Sequence, residues 1–276
     1  MTFEFDIATR LRATSASTDS AAHGLGTFEG ALHPGWDING NANGGYLMAL
    51  AAGAMRQASG RPDPISVTAH YLAPGPVGPI SVSTAVAKTG RQLVTMTASV
   101  HQADRELLRV LGSFGDVAAM SGGFTHTTLS APDLPPREQC VRHTSDGGVV
   151  RAALAERLHT WFRPEHAPFR SGPKPGVAMI EGWTAFADGR PFDTLSLLLV
   201  ADAFPPAVFN VDMPAGWVPT IELTVHVRGI PGPGALMCRF RSEIVQNGFL
   251  QEDGDVWDSA GNLVAQSRQL ALIPRG

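Results

Sequence analysis

Three polar residues of the C-terminal half, Asp202, Thr220 and Gln269, are of the types needed to hold and activate a water molecule. Asp202 interrupts the apolar run Leu197-Leu198-Leu199-Val200-Ala201 and is followed by Ala203 and Phe204. A carboxylate among such neighbours is drawn away from water, which raises its pKa and suits a general base near neutral pH. The run predicts a helix over 193–204 that puts Asp202 in its last turn, where the helix dipole disfavours an anion by ~0.3–1 kcal/mol. A hydroxyl and an amide beside such a base could orient one water through three hydrogen bonds. Each residue alone has an ordinary reading: a solvated Asp before the Pro205-Pro206 stop, a Thr opening a strand, a strand amide facing water.

Other chemistries find less support in the chain. It contains no Gly-x-Ser-x-Gly elbow for a serine nucleophile. His159 and His166 are not at the spacing of a helical zinc-binding pair, and Cys140 and Cys238 form neither a zinc motif nor a disulfide framework. No metal or cofactor is therefore expected. His70 and His226 recur at matching places in the two halves, which favours a structural role.

The 276 residues are 43% hydrophobic and 17% charged, with 30 Gly, 21 Pro and a net charge of −4. That composition predicts a globular, turn-rich chain and argues against disorder. It carries no basic stripe of the kind nucleic-acid binding requires. The apolar runs around Tyr46–Met55 and Leu195–Ala201 are too short to span a membrane. The acidic start Met-Thr-Phe-Glu-Phe-Asp lacks the apolar region of a signal peptide, so a cytoplasmic location is expected.

The elements that would position the three residues occur twice. Residues 44–57 are apolar on nearly every side and predict a fully buried helix. Strand patterns follow at 65–72, 77–88, 92–101 and 106–114, separated by Pro/Gly turns. Residues 118–150, rich in Ser, Gly, Thr and Pro, read as a linker. The programme then repeats: the apolar helix 193–204, and strands at 220–228, 235–246, 250–257 and 263–273. Ser66-Val67-Thr68-Ala69-His70 aligns with Glu222-Leu223-Thr224-Val225-His226, 156 residues on. With the two helices, the post-helix strands and the last strands (by their turns Thr89-Gly90 and Gln246-Asn247) each set against one another, Asp202, Thr220 and Gln269 fall opposite Gly53, Pro64 and Gly112, so the second copy gains three polar groups. The expected fold is α+β, a double hotdog: two repeats, each a central helix wrapped by a curved antiparallel sheet. The expected division is an N-terminal hotdog at 1–117, a linker at 118–150 and a C-terminal hotdog at 151–276.

With these motifs in order, the chain resembles the type II acyl-CoA thioesterases of the double-hotdog fold. In the first half the resemblance lies in Gly44-Gly45-Tyr46-Leu47, His70-Tyr71-Leu72-Ala73-Pro74-Gly75 and Gly90-Arg91-Gln92. In the second it lies in Ala201-Asp202-Ala203-Phe204-Pro205-Pro206, Pro219-Thr220-Ile221-Glu222 and Ala265-Gln266-Ser267-Arg268-Gln269. It implies an acyl-CoA substrate, hydrolysis to an acid and CoA, and a homo-oligomer. It also implies that Asp202, Thr220 and Gln269 orient the hydrolytic water. Gly44 and Gly45, at a helix N-terminus, would let backbone N–H groups approach an oxyanion, with Tyr46 beside them at the substrate. The family often has Gln where Tyr46 stands, and the segment from Phe204 to Thr220, with Trp217, is this chain's own. Two alternatives stay open: an acyl-CoA or acyl-group binding protein without catalysis, and a hotdog enoyl-CoA hydratase. The hydratase would need an Asp–His pair, for which Asp63 and His70 are the nearest residues.

Overall fold

The computed structural model describes residues 2–15, 26–145, 151–167, 174–214 and 216–274. The apolar segment after Asn43 folds as a helix, Gly44–Ser59. The Asn43 side chain caps it by accepting the Tyr46 N–H, and Gly60 ends it in the left-handed conformation at φ 65°. Every residue from Gly45 to Met55 is buried. A helix with no polar face needs cover on all sides, and strands supply most of it.

Those strands belong to one antiparallel sheet of fourteen strands among the described residues. On one side Asp63–Tyr71 is followed outward by Arg105–Gly115, Val94–Gln102, Gly78–Thr89, Gly26–Leu32 and the edge strand Arg12–Ser15. On the other, Thr220–Val227 is followed by Leu263–Leu272, Phe249–Trp257, Leu236–Arg241, Met179–Phe186, Leu158–Phe162 and the edge strand Val141–Arg142. Asp63–Tyr71 and Thr220–Val227 join the two sides. Thr68 pairs with Thr224 at their centre, and the two hydroxyls are 2.9 Å apart.

Both of these joining strands carry a bulge near their start, between Pro64 and Ser66 and between Thr220 and Glu222. A strand normally alternates faces, and one extra residue reverses the alternation. Thr220 thereby pairs with Ala271 while Leu223 pairs with Gln269, so Thr220 and Gln269 share the inward face. Glu252 lies opposite Gln269 on the next strand and joins the same face.

The second apolar helix is shorter than the pattern predicts. It runs only Ser196–Val200, opened by Asp193, whose carboxylate accepts the Ser196 N–H at 2.8 Å. It closes through tight i→i−3 bonds, Asp202 N–H to Leu199 O and Ala203 N–H to Val200 O, just before the two prolines. Asp202 therefore sits in the turn beyond the helix and not in its last turn. Strands Gly26–Leu32, Met179–Phe186 and Leu158–Phe162 had no counterpart in the sequence reading. Glycines and irregular burial blur the period-two signal in the first two, whereas Leu158–Phe162 alternates cleanly but is only five residues long. Within the segment expected as a linker, Val141–Arg142 pairs with Trp161 and Phe162, and residues 146–150 lie outside the described residues.

Candidate active site

The start of the long helix meets the end of the short one. A Cβ on Gly45 would stand 2.6 Å from the Leu198 carbonyl oxygen and 2.8 Å from that of Leu199. Only glycine allows this approach, and it carries Asp202 from the C-terminus of one helix to the N-terminus of the other. The dipole that opposes its charge from the short helix is thus answered by the long helix, whose free N–H groups favour an anion.

Asp202 Oδ2 accepts hydrogen bonds from the Asn43 side-chain amide at 2.9 Å and the Gly45 N–H at 3.0 Å. Asn43 also donates to the Asp202 backbone carbonyl at 2.7 Å. Burial pushes the carboxyl pKa from its ordinary 3.8 up to about 6, against the opposing pull of the Gly45 and Gly44 N–H groups and the Asn43 amide.

Asp202 opens onto a cavity of about 390 Å³ lined mainly by apolar side chains, among them Leu47, Leu154, Leu158, Phe204, Phe209 and Trp217. Thr220 and Gln269 line the same cavity, and the Gln269 amide donates to the Thr220 hydroxyl. Asp202, Thr220 and Gln269 are therefore brought to one wall of one pocket. Size and lining suit a small organic group with a long apolar part.

Gly44 also lines the cavity, and a Cβ there would strike Asp202 Oδ2 at 2.8 Å and the Tyr71 ring at 2.8 Å. Gly45 packs behind it against the short helix. Tyr46 does not reach the cavity. Its ring stacks on Trp36 at 5.6 Å within the core, and its hydroxyl donates to the Ala8 carbonyl at 2.9 Å. Two residues on from Gly44, a helical side chain is turned well away from it, and here it faces the sheet. The oxyanion role expected of the helix N-terminus also meets an obstacle. The Gly45 N–H serves Asp202, the Tyr46 N–H serves the Asn43 side chain, and the Leu47 N–H serves the Asn43 carbonyl.

Three further groups at the site escaped the sequence reading. Asn43 is one; its signal was an Asn placed to cap the apolar helix that follows. Glu252 is a buried carboxyl in the cavity wall, whose Oε2 accepts the Ala207 N–H at 2.5 Å. Burial raises its pKa from 4.5 to about 8, the nearby Asp202 charge adding to the rise. Tyr71 is the third, and its buried hydroxyl has no hydrogen-bond partner among the described residues. The Asp63–His70 pair that a hydratase would need does not form. Asp63 binds Thr194 Oγ1 and the Val117 N–H, His70 is exposed, and neither lines the cavity.

Two family models, the acyl-CoA thioesterase N-terminal domain and C-terminal domain, match residues 32–115 and 137–273. The chain belongs to the type II acyl-CoA thioesterase family. The sequence is 30% identical over 267 residues to an uncharacterised Mycobacterium tuberculosis protein, covering 90% of this chain and 91% of that one. A Thermobifida fusca protein assigned as a thioesterase II has a similar structure, with 31% identity and a TM-score of 0.83, covering 99% of this chain and 98% of its own. A hot dog fold protein of Alicyclobacillus acidocaldarius, 21% identical, aligns over 100% of both chains at a TM-score of 0.81. That likeness shows the fold: α+β, of the hot dog kind. Among the described residues no helix is long and apolar enough to cross a membrane.

Proposed function

We propose that this protein hydrolyses acyl-CoA thioesters to a carboxylic acid and CoA, with Asp202 as general base. One observation carries the reading: a carboxylate with its pKa lifted to about 6 opens onto an apolar cavity whose wall also holds a hydrogen-bonded Thr220–Gln269 pair. Water held by Thr220 and Gln269 gives a proton to Asp202 as its oxygen attacks the thioester carbonyl. The tetrahedral intermediate then collapses, the C–S bond breaks, and Asp202 returns the proton to the departing thiolate. Thr220 and Gln269 act by orientation, which makes the attack effectively unimolecular. Gly44 contributes as the position where the absence of a Cβ keeps Asp202 open to the cavity.

The same reading takes the chain as two hotdog repeats, at 1–117 and 151–276, joined by the 118–150 linker. The central Thr68–Thr224 pairing, between residues equivalent in the two copies, supports it. It also takes the protein as a cytoplasmic homo-oligomer. Exposed Phe249 and Leu272, cross-strand partners, together with Leu270 two residues before Leu272, form an apolar surface of the kind that subunits cover. Sedimentation of the native protein measures that state.

The activity is tested by incubating the protein with acyl-CoAs of graded chain length and following free thiol. Release of CoA supports hydrolysis. Binding without release would leave the acyl-group carrier as the reading, and conversion of an enoyl-CoA without thiol release would point to hydration.

A further inference from the structure

In the first turn of the long helix the Gly45 N–H is taken by Asp202, and the Tyr46 and Leu47 N–H groups by Asn43. A carbonyl placed for attack by water beside Asp202 therefore finds few free donors at this helix end and is served by a further one from elsewhere. A donor there speeds hydrolysis, because negative charge moves onto that oxygen as the tetrahedral intermediate forms.

One unused donor stands at the right place. Tyr71 lines the cavity, and its hydroxyl is buried with no partner among the described residues. The end of the ring that bears the hydroxyl lies against Gly44: a Cβ there would be 3.0 Å from Tyr71 Cζ and 2.8 Å from Asp202 Oδ2. The phenol and the base thus converge on one small volume at the mouth of the helix. A buried hydroxyl without a partner costs about 1–3 kcal/mol, and such a group in a cavity wall is accounted for when a ligand atom completes it. Asp202 and Glu222 lie close enough to add to burial in holding the phenol protonated, so it stays a donor and does not compete as a base.

We propose that the Tyr71 hydroxyl donates the hydrogen bond that holds the thioester carbonyl oxygen and its tetrahedral oxyanion, making Tyr71 a catalytic residue alongside Asp202. The proposal rests on the thioesterase reading above. No proton is transferred from the phenol. The water oxygen bonds to the carbonyl carbon, the water proton goes to Asp202, and the oxyanion takes only the hydrogen bond until its electron pair re-forms the carbonyl and expels the thiolate.

Tyr71→Phe removes the hydroxyl and leaves the ring. Its thiol-release kinetics are compared with those of the wild type on hexanoyl-CoA, together with thermal melting. Both proteins are also saturated with a ketone analogue of hexanoyl-CoA, methylene in place of sulfur and ¹³C at the carbonyl. The expected result is a kcat lower by roughly 100-fold, the scale of one lost oxyanion donor, with KM within about two-fold and a melting temperature equal or higher. The bound ¹³C resonance should move downfield in the wild type and much less in Tyr71→Phe. A variant with wild-type kcat and the same carbonyl shift would overturn the role of Tyr71 and leave the thioesterase intact. A wild type that releases no thiol yet shows the Tyr71-dependent shift would overturn hydrolysis and keep the carbonyl contact.

Discussion

The Asn43 side-chain amide grips Asp202 twice, at its carboxylate Oδ2 (2.9 Å) and at its backbone carbonyl (2.7 Å), across 159 residues of chain. The same side chain caps the long helix through its Oδ1, accepting the Tyr46 N–H at 3.0 Å. One asparagine therefore fixes both the helix start and the acid that rests on it. Asn43→Ala should lower stability by ~1–2 kcal/mol through the lost cap, read by urea denaturation. Because the amide favours the ionised carboxylate, its loss should also move the acidic limb of kcat/KM against pH above the position near 6 expected for the wild type.

Gly44 and Gly45 are adjacent, and alanine should fail differently at each. At Gly45 the new methyl would meet the Leu198 and Leu199 carbonyl oxygens at 2.6 and 2.8 Å, and backbone does not yield easily. Gly45→Ala should lose ~1–3 kcal/mol of stability. At Gly44 the collision is with two side chains, Asp202 and Tyr71. Gly44→Ala should melt closer to the wild type yet hydrolyse at least ten-fold more slowly. Parallel melting and thiol-release assays separate the two outcomes.

Glu252 predicts a pH dependence of stability. Its native carboxyl keeps a proton to about pH 8, whereas an unfolded Glu releases it near 4.5. The stability associated with the protonated group is complete below pH 4.5 and is lost as pH rises through 8. Asp202 acts in the same direction between 3.8 and about 6, and the histidines lowered by burial contribute equally to wild type and variant, so the comparison above pH 6 singles out Glu252. Glu252→Gln cannot titrate. Its melting temperature should fall less than that of the wild type between pH 6 and 8.5, and parallel curves would contradict the buried protonated carboxyl.

Much of this arrangement was legible in the sequence because the signals were strong and local. The all-apolar helix after Asn43 and the β-branched strands that follow it appear within a few residues of their predicted places. Asp202 betrayed itself by breaking an apolar run. What escaped depends on tertiary contact. Glu252 sits in Gln251-Glu252-Asp253, which reads as a solvated polar stretch until strand alternation turns Glu252 inward with Leu250 and Gly254. Tyr46 was expected at the substrate because it follows the glycines, but a helix turns about 100° per residue and carries it into the core. The proximity of Tyr71 to Asp202 depends on Gly44 letting two distant segments touch, and no local pattern records that contact.

The rate of thiol release by Asp202→Asn is the most direct measure of the central claim. Asparagine keeps the shape and the apolar cavity but cannot take a proton from water. With the fold verified by an unchanged circular dichroism spectrum, turnover should fall below a tenth of the wild-type value and lose its acidic limb near pH 6. A folded Asp202→Asn that retains more than a tenth of wild-type turnover would contradict a buried acid as the base that activates water.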